Sequence, residues 1–138
     1  MSDTGYIEDS ISSHLLADAG IAAMVSDRVY PNIVKQGDDV PAIMFRFISA
    51  PRDQVHGDET GAFVKARVEF NVYGNSFSET ARLAKLVLDL LDSFRGTLGA
   101  KGKQTAVDAI FLDGPRDSYD DDLGRHKRQF DAIMQYRE

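Results

Sequence analysis

Apolar and polar residues alternate most regularly between residues 63 and 73. Every second residue there is apolar: Val64, Ala66, Val68, Phe70 and Val72. Because side chains two apart lie on the same face of a strand, this alternation predicts a strand with one buried and one polar face. Similar patterns predict three further strands over 41–48, 105–112 and 128–136.

In two other segments the apolar residues recur at the three- and four-residue spacing of a helix. Residues 5–19 carry one apolar stripe: Ile7, Ile11, Leu15 and Leu16. Residues 76–94 open with Ser76 and Glu79, the spacing of a capping box, in which each residue satisfies a backbone amide at the start of a helix. Between the first helix and the first of the four strands, a short apolar turn at 21–25 and a brief extended piece at 27–31 are predicted.

The order of elements is helix, strand pair, helix, strand pair. This order predicts an α+β fold: a four-stranded, mainly antiparallel (mixed) sheet with two helices packed on one face. Polar segments over 49–62, 95–104 and 113–127 are predicted to be connections. The length, 138 residues, is near the commonest domain size, so we expect one domain over 1–138.

The polar face of the predicted sheet also carries apolar residues. Met44, Ile48 and Ile133 fall on it, and exposed apolar side chains on a polar surface often mark contacts with a partner. Arg46 and Arg67 lie on the same face and could form a basic stripe, with Lys65 beside them, but an intervening glutamate interrupts it. A solvated face or a subunit contact is therefore the favoured interpretation, ahead of RNA binding.

Charge and composition reduce the number of possible functions. The chain holds 16 basic and 22 acidic residues, a net charge of −6, whereas nonspecific nucleic-acid binding needs clustered lysine and arginine. It has no cysteine, which excludes disulfides and thiolate metal sites. No stretch approaches the roughly 18 apolar residues of a membrane span, so no membrane partner is expected.

The acidic run Asp120–Asp122, with Asp117 and His126 nearby, is the best candidate for a metal site. Carboxylates suit hard cations, but neighbouring side chains on a regular backbone point apart. The favoured interpretation is a solvated loop, although a metal-dependent enzyme using these residues stays an alternative.

A second candidate is His56, which could act as a base oriented by Asp53 or Asp58. No nucleophile motif, P-loop, dinucleotide fingerprint or H-E-x-x-H motif accompanies it. We therefore expect no catalytic residue, no cofactor and no bound metal. A nucleic-acid-binding module is the remaining alternative outside protein assembly.

Four segments in sequence carry a resemblance to a known family. They are DRVYP at 27–31, VPAIMFRFISAPR at 40–52, ARVEFNVYGNSFSETARLAKLVLDLLDSF at 66–94 and GPRDSYDDDLGRHKRQFDAIMQYRE at 114–138. Their order resembles the tail terminator, or tail-completion, family of long-tailed bacteriophages. The V-x-F-x-V-Y strand that runs into a capped helix is its most telling part.

The resemblance implies a structural protein without an active site. In that family a ring, usually a hexamer, caps the growing tail tube, stops its polymerisation and presents a surface for head-tail joining. The implied partners are further copies of the chain, the tail tube protein and the head-tail connector, with DNA crossing the lumen without specific binding. The implied location is the tail-neck junction of the virion, after assembly in the host cytoplasm. A neck or head-completion protein of the same virion is the alternative.

A ring requires two different patches on each subunit, each of roughly 800 Å² in a standard interface. We expect these patches in the segments 49–62 and 113–127. The candidate contact residues are Arg52, Asp53, His56, Asp58, Arg116, Asp117, Tyr119, Asp121 and Arg125. The last strand is a further candidate, as an edge that could pair with a strand of a partner.

Overall fold

The computed structural model describes residues 7–31, 40–50, 52–53, 63–99, 105–120 and 125–137. In these ranges the chain forms three helices: α1 (Ile7–Leu16), α2 (Ala19–Val25) and α3 (Phe77–Leu91). The strands are β1 (Val29–Pro31), β2 (Ala42–Ser49), β3 (Arg52–Asp53), β4 (Phe63–Gly74), β5 (Gly96–Leu98), β6 (Thr105–Asp120) and β7 (Arg125–Arg137). None of these helices is both long and apolar enough to cross a membrane.

The strands form one mixed sheet in the order β1-β2-β4-β7-β6-β5. β1 is parallel to β2, and every other pair is antiparallel. The two-residue β3 pairs with β4 beyond the end of β2, on the same side as β2. The α+β class is confirmed, and the helices pack on one face of the sheet as predicted.

The predicted count of four strands and two helices is wrong. Three strands have only two or three residues, which is too few for a period of two to be recognised. The apolar segment predicted as a turn at 21–25 belongs to α2, whose first turn is capped because Asp18 Oδ1 accepts from the Ile21 amide at 3.1 Å.

The prediction that 113–127 is a polar connection is also wrong. β6 continues to Asp120 and β7 begins at Arg125, and the two strands pair along this whole length as a hairpin. Backbone ladders form without apolar side chains, so the polar composition concealed both strand ends. Gly114 and Pro115 lie at a bulge between Asp113 and Arg116, a position where proline is tolerated.

The core lies between the helices and the sheet. The alternation predicted for β4 is confirmed, since Val64, Ala66, Val68, Phe70 and Val72 are all buried. Phe70 is central to an aromatic row across three strands. Its ring centroid is 5.9 Å from that of Phe45 on β2 and 5.2 Å from that of Phe130 on β7, the latter pair stacked at 12°. Such pairs add to the burial energy of the rings.

The start of α3 follows its sequence signature with one difference. Ser76 Oγ accepts from the Glu79 amide at 3.1 Å, as the capping box requires. Glu79 Oε1 in turn accepts from the amide of Asn75 at 2.9 Å, one residue before the serine. The cap therefore also holds the turn that joins β4 to α3.

Candidate interaction site

The face of the sheet that the helices do not cover, called the open face below, carries rows of charged side chains. The strand register aligns Asp113 on β6, Asp131 on β7, Glu69 on β4 and Arg46 on β2 in one row. Arg46 Nε donates to Glu69 Oε1 at 2.9 Å. Arg67 Nη1, from the neighbouring row, donates to Asp131 Oδ2 at 2.9 Å and lies 3.8 Å from Asp113 Oδ2.

These contacts balance the charge of the open face. Arg116 adds a longer contact of 3.5 Å from Nη2 to Asp131 Oδ1, so three arginines meet three carboxylates. Burial acts to raise the pKa of Glu69, but hydrogen bonds from Asn71, Arg46 and Gln129 and the charge of Arg46 outweigh it and lower the pKa. Two residues of the basic stripe considered from the sequence, Arg46 and Arg67, are thus paired with carboxylates, which weakens the attraction of the stripe for phosphates.

Apolar side chains interrupt this charged face at its two ends. Phe111 on β6 is 56% exposed, and Ile48 at a bulge in β2 is 48% exposed. Ile133 lies beside Phe111 on β7, and Met44 faces Asn71 on β4, so the predicted apolar residues of this face are present. Single exposed apolar residues are ordinary on a protein surface. Phe111 and Ile48 lie on opposite margins of one sheet, so the sheet has two separate apolar positions that could contact a partner.

The far end of the β6–β7 hairpin is tied to the start of α3. Arg128 forms a fork with Asp117, through Nε to Oδ1 at 2.5 Å and Nη2 to Oδ2 at 3.0 Å. The hydrogen bond from Arg128 lowers the pKa of Asp117, with burial opposing and the guanidinium charge assisting. The same guanidinium lies 5.5 Å from the ring centre of the exposed Phe77. These contacts join the β6–β7 hairpin to the start of α3.

The hairpin also presents an exposed aromatic pair. Tyr119 is 53% exposed, and its ring meets that of His126 edge-on at a centroid distance of 5.1 Å. Arg125, which opens β7 one residue earlier, is buried. Tyrosine and arginine are residue types enriched at protein contact surfaces.

The structure therefore brings together four predicted contact residues on one hairpin: Arg116, Asp117, Tyr119 and Arg125. Arg52 and Asp53 form β3, where they pair with Val64 and Phe63 on β4. His56, Asp58 and Asp121 lie outside the described residues.

Two sequence interpretations change with this geometry. The last strand cannot serve as an edge, because β7 pairs with β4 on one side and β6 on the other. Asp117, counted among the possible metal ligands, is held by Arg128, and the described ranges contain no group of three histidine or acidic residues placed to hold a metal ion. Asp121 and Asp122 lie outside those ranges.

The exposed side chains at the two margins of the sheet and on the β6–β7 hairpin are candidate contact positions of the described surface. The sequence matches the family described as tail completion protein gp17 over residues 9–135. The chain belongs to that family and is a structural protein of the bacteriophage tail type, which confirms the resemblance inferred from the sequence.

A solved structure shows the same fold. A chain from the virion of a native gene transfer agent particle is 17% identical to this chain, with a TM-score of 0.61. The alignment covers 95% of this chain and 92% of that one. At this identity the likeness concerns the fold. A search among curated proteins returns no significant match.

Proposed function

We propose that this chain is a tail terminator: copies assemble into a ring, with six subunits as the expected number, that caps the tail tube and ends its polymerisation. Family membership over residues 9–135 is the observation that carries the proposal. The ring would then offer its other side to the head-tail connector. Its site of action is the tail-neck junction of the virion, reached after assembly in the host cytoplasm.

The surface of the subunit supports a ring. A cyclic assembly uses two different patches per subunit, one meeting the other on the neighbour. The chain has separate candidates for these patches at the β6–β7 hairpin, with Tyr119, and at the opposite margin of the sheet, with Ile48. Since both candidates belong to one hydrogen-bonded sheet, we expect the angle between them to be the same in every subunit, as ring closure demands.

We further propose that the role includes no catalysis and no bound cofactor. The charged side chains of the open face are engaged with one another, as in Arg67 with Asp131 and Arg46 with Glu69, and so resemble a structural network. The net charge of −6 favours a lumen that DNA crosses without specific binding, because like charges repel.

The decisive experiment measures the mass of the protein by light scattering after size-exclusion chromatography, alone and with the purified tail tube protein. We expect a ring in at least one condition and, by electron microscopy, tubes that stop growing once the chain is added. A monomer at every concentration that leaves tube growth unchanged would refute the proposal. Binding to the connector alone would instead indicate a neck or head-completion protein.

A matched pair of variants separates surface contact from folding. Tyr119→Ala removes an exposed aromatic from the hairpin, and we expect it to weaken assembly without unfolding the subunit. Asp89→Ala is the control, because Asp89 lies on the exposed side of α3 and contacts only the exposed Lys85 at 2.9 Å among the side chains described. Equal assembly of the two variants would exclude Tyr119 from the interface.

A further inference from the structure

Two strands of the sheet have margins that no other strand covers in the described part of the chain. On the outer side of β6, β5 pairs only with residues 105–107. On the outer side of β2, β1 pairs only with residues 43–45. Beyond these points, β6 from 108 and β2 from 46 have a neighbouring strand on their inner side alone. Uncovered backbone groups of this kind are templates for pairing with another strand.

The regular part of the β6 margin is short and well defined. A bulge at Asp108 begins it, and the bulge that contains Gly114 and Pro115 ends it, so residues 109–113 form the continuous stretch. Within it, Phe111 and Asp113 are exposed on the open face, opposite Ile133 and Asp131 of β7. The margin therefore offers one aromatic and one acidic side chain, two residues apart.

The β2 margin carries the complementary pair. Arg46 is exposed and lies on the open face opposite Glu69. Ile48, two residues further on, is exposed at the bulge between Phe47 and Ser49. One margin thus presents an acid and a phenyl ring, and the other presents a guanidinium and an aliphatic side chain, with the same spacing.

We propose that β6 of one copy pairs with β2 of the next, so that the sheets of neighbouring subunits join into one continuous sheet around the ring. This inference rests on the proposed ring and specifies its interface. It is heterologous, because the two margins differ, and it can therefore repeat around a closed circle.

The strand directions determine the type of pairing. β2 is antiparallel to β4, β4 to β7 and β7 to β6, so β6 runs opposite to β2 within one subunit. A neighbour related by rotation about an axis along the strands keeps its strand directions. The joint between β6 and the next β2 is then antiparallel, like the rest of this part of the sheet.

One antiparallel register satisfies both complementary pairs. With Asp113 opposite Arg46 of the neighbour, Phe111 falls opposite Ile48, because antiparallel partners advance in opposite directions along the chain. Opposite charges and apolar pairs that face each other across strands both stabilise a sheet. Asp113 and Arg46 already share the open face, so they meet on the same side of the joint.

Cysteine cross-linking tests this register directly, because the natural chain contains no cysteine. The double variant Asp113→Cys with Arg46→Cys cannot close a disulfide inside one chain. The two residues are three strand spacings apart, about 14 Å, whereas a disulfide needs Cα atoms within about 7 Å. Mild oxidation of the assembled protein should give a ladder of dimer, trimer and higher species that ends at a covalently closed ring.

The controls distinguish this interface from chance collision. Each single variant should stop at a dimer. Asp108→Cys with Arg46→Cys, which places one cysteine about five residues out of register, should not exceed the single variants. The pair Phe111→Cys with Ile48→Cys lies in the proposed register and should reproduce the ladder, so the result does not depend on removing the two charges.

The outcomes separate this inference from the proposed function. A ring detected by light scattering in which neither in-register pair cross-links beyond a dimer would overturn the joined sheet and leave the ring intact. Cross-linking by the out-of-register pair equal to that of both in-register pairs would overturn the register. Failure of the cysteine-free protein to assemble, alone or with the tube protein, would reject both proposals.

Discussion

Phe130 and Phe111 lie on neighbouring strands and differ almost only in their surroundings. Phe130 is 0% exposed, stacked against Phe70 beneath the helices, whereas Phe111 is 56% exposed on the open face. Replacing each by alanine removes the same atoms. We expect Phe130→Ala to destabilise the fold and Phe111→Ala to affect assembly instead.

The magnitudes follow from the burial of each ring. For Phe130 the cost combines lost transfer energy, a cavity and the lost stack, which amounts to about 3–5 kcal/mol. That is a large part of the roughly 5–15 kcal/mol that stabilises a typical domain. For Phe111, less than half of the residue is covered and no enclosed cavity forms, so the roughly 1.5–3 kcal/mol of full burial shrinks to about 1 kcal/mol.

Urea unfolding followed by circular dichroism measures both costs, and light scattering measures assembly. We expect Phe130→Ala to lose at least about 2 kcal/mol more than Phe111→Ala. We expect Phe111→Ala to keep its fold and to assemble more weakly. Equal losses of stability, or a Phe111→Ala variant that assembles like the unchanged chain, would contradict these roles of the two rings.

Three further predictions concern stability. Ser76→Ala should cost about 1 kcal/mol by removing the acceptor at the start of α3, whereas Ser78→Ala, in the same exposed turn, should cost little in urea unfolding. Gly74→Ala should destabilise the fold by about 1–3 kcal/mol, because a Cβ there would lie 3.0 Å from the Thr80 backbone nitrogen. Calorimetry should show a lower Tm, and an unchanged Tm would contradict this close approach. Burial lowers the pKa of His14, and the charge of Asp18 opposes this shift. Near and below the ordinary pKa of 6.5 the unfolded chain therefore binds more protons than the folded chain, so the free energy of unfolding should fall as the pH drops. Urea unfolding at about pH 7.5 and about pH 5.5 measures this difference, and His14→Leu should remove it.

The parts of the fold that follow from local pattern were predictable. The alternation along β4 and the capping box at Ser76 each report a physical constraint within a few residues of sequence. Among the shortest strands, β1 lies in the brief extended piece predicted at 27–31, whereas β3 and β5 escaped prediction because their pairing partners, not their own residues, make them strands. The end of β6 escaped prediction because Gly114 and Pro115, which usually mark a turn, occupy a bulge in the part of β6 that β5 does not cover.

The candidate site was predictable only in part. Tyr119 and Arg116 are polar or amphipathic residues in a polar segment, so their exposure followed from composition. The exposure of Phe111 did not, since it lies in the unbroken apolar run from Ala109 to Leu112, and the bulge at Asp108 sets which of these residues faces the helices. The margins of the sheet depend on strand order, which requires pairing between distant parts of the chain.

The central position of β7 has a consequence for synthesis. β7 is the last strand in chain order, yet it separates β4 from β6 and supplies the longest ladders to both. Until β7 has been synthesised, β4 and β6 each have a long unpaired side that could bind the other strand or another chain. The sheet is completed by the late insertion of β7 between distant segments, and pairing between distant segments is slow because long loops must close first.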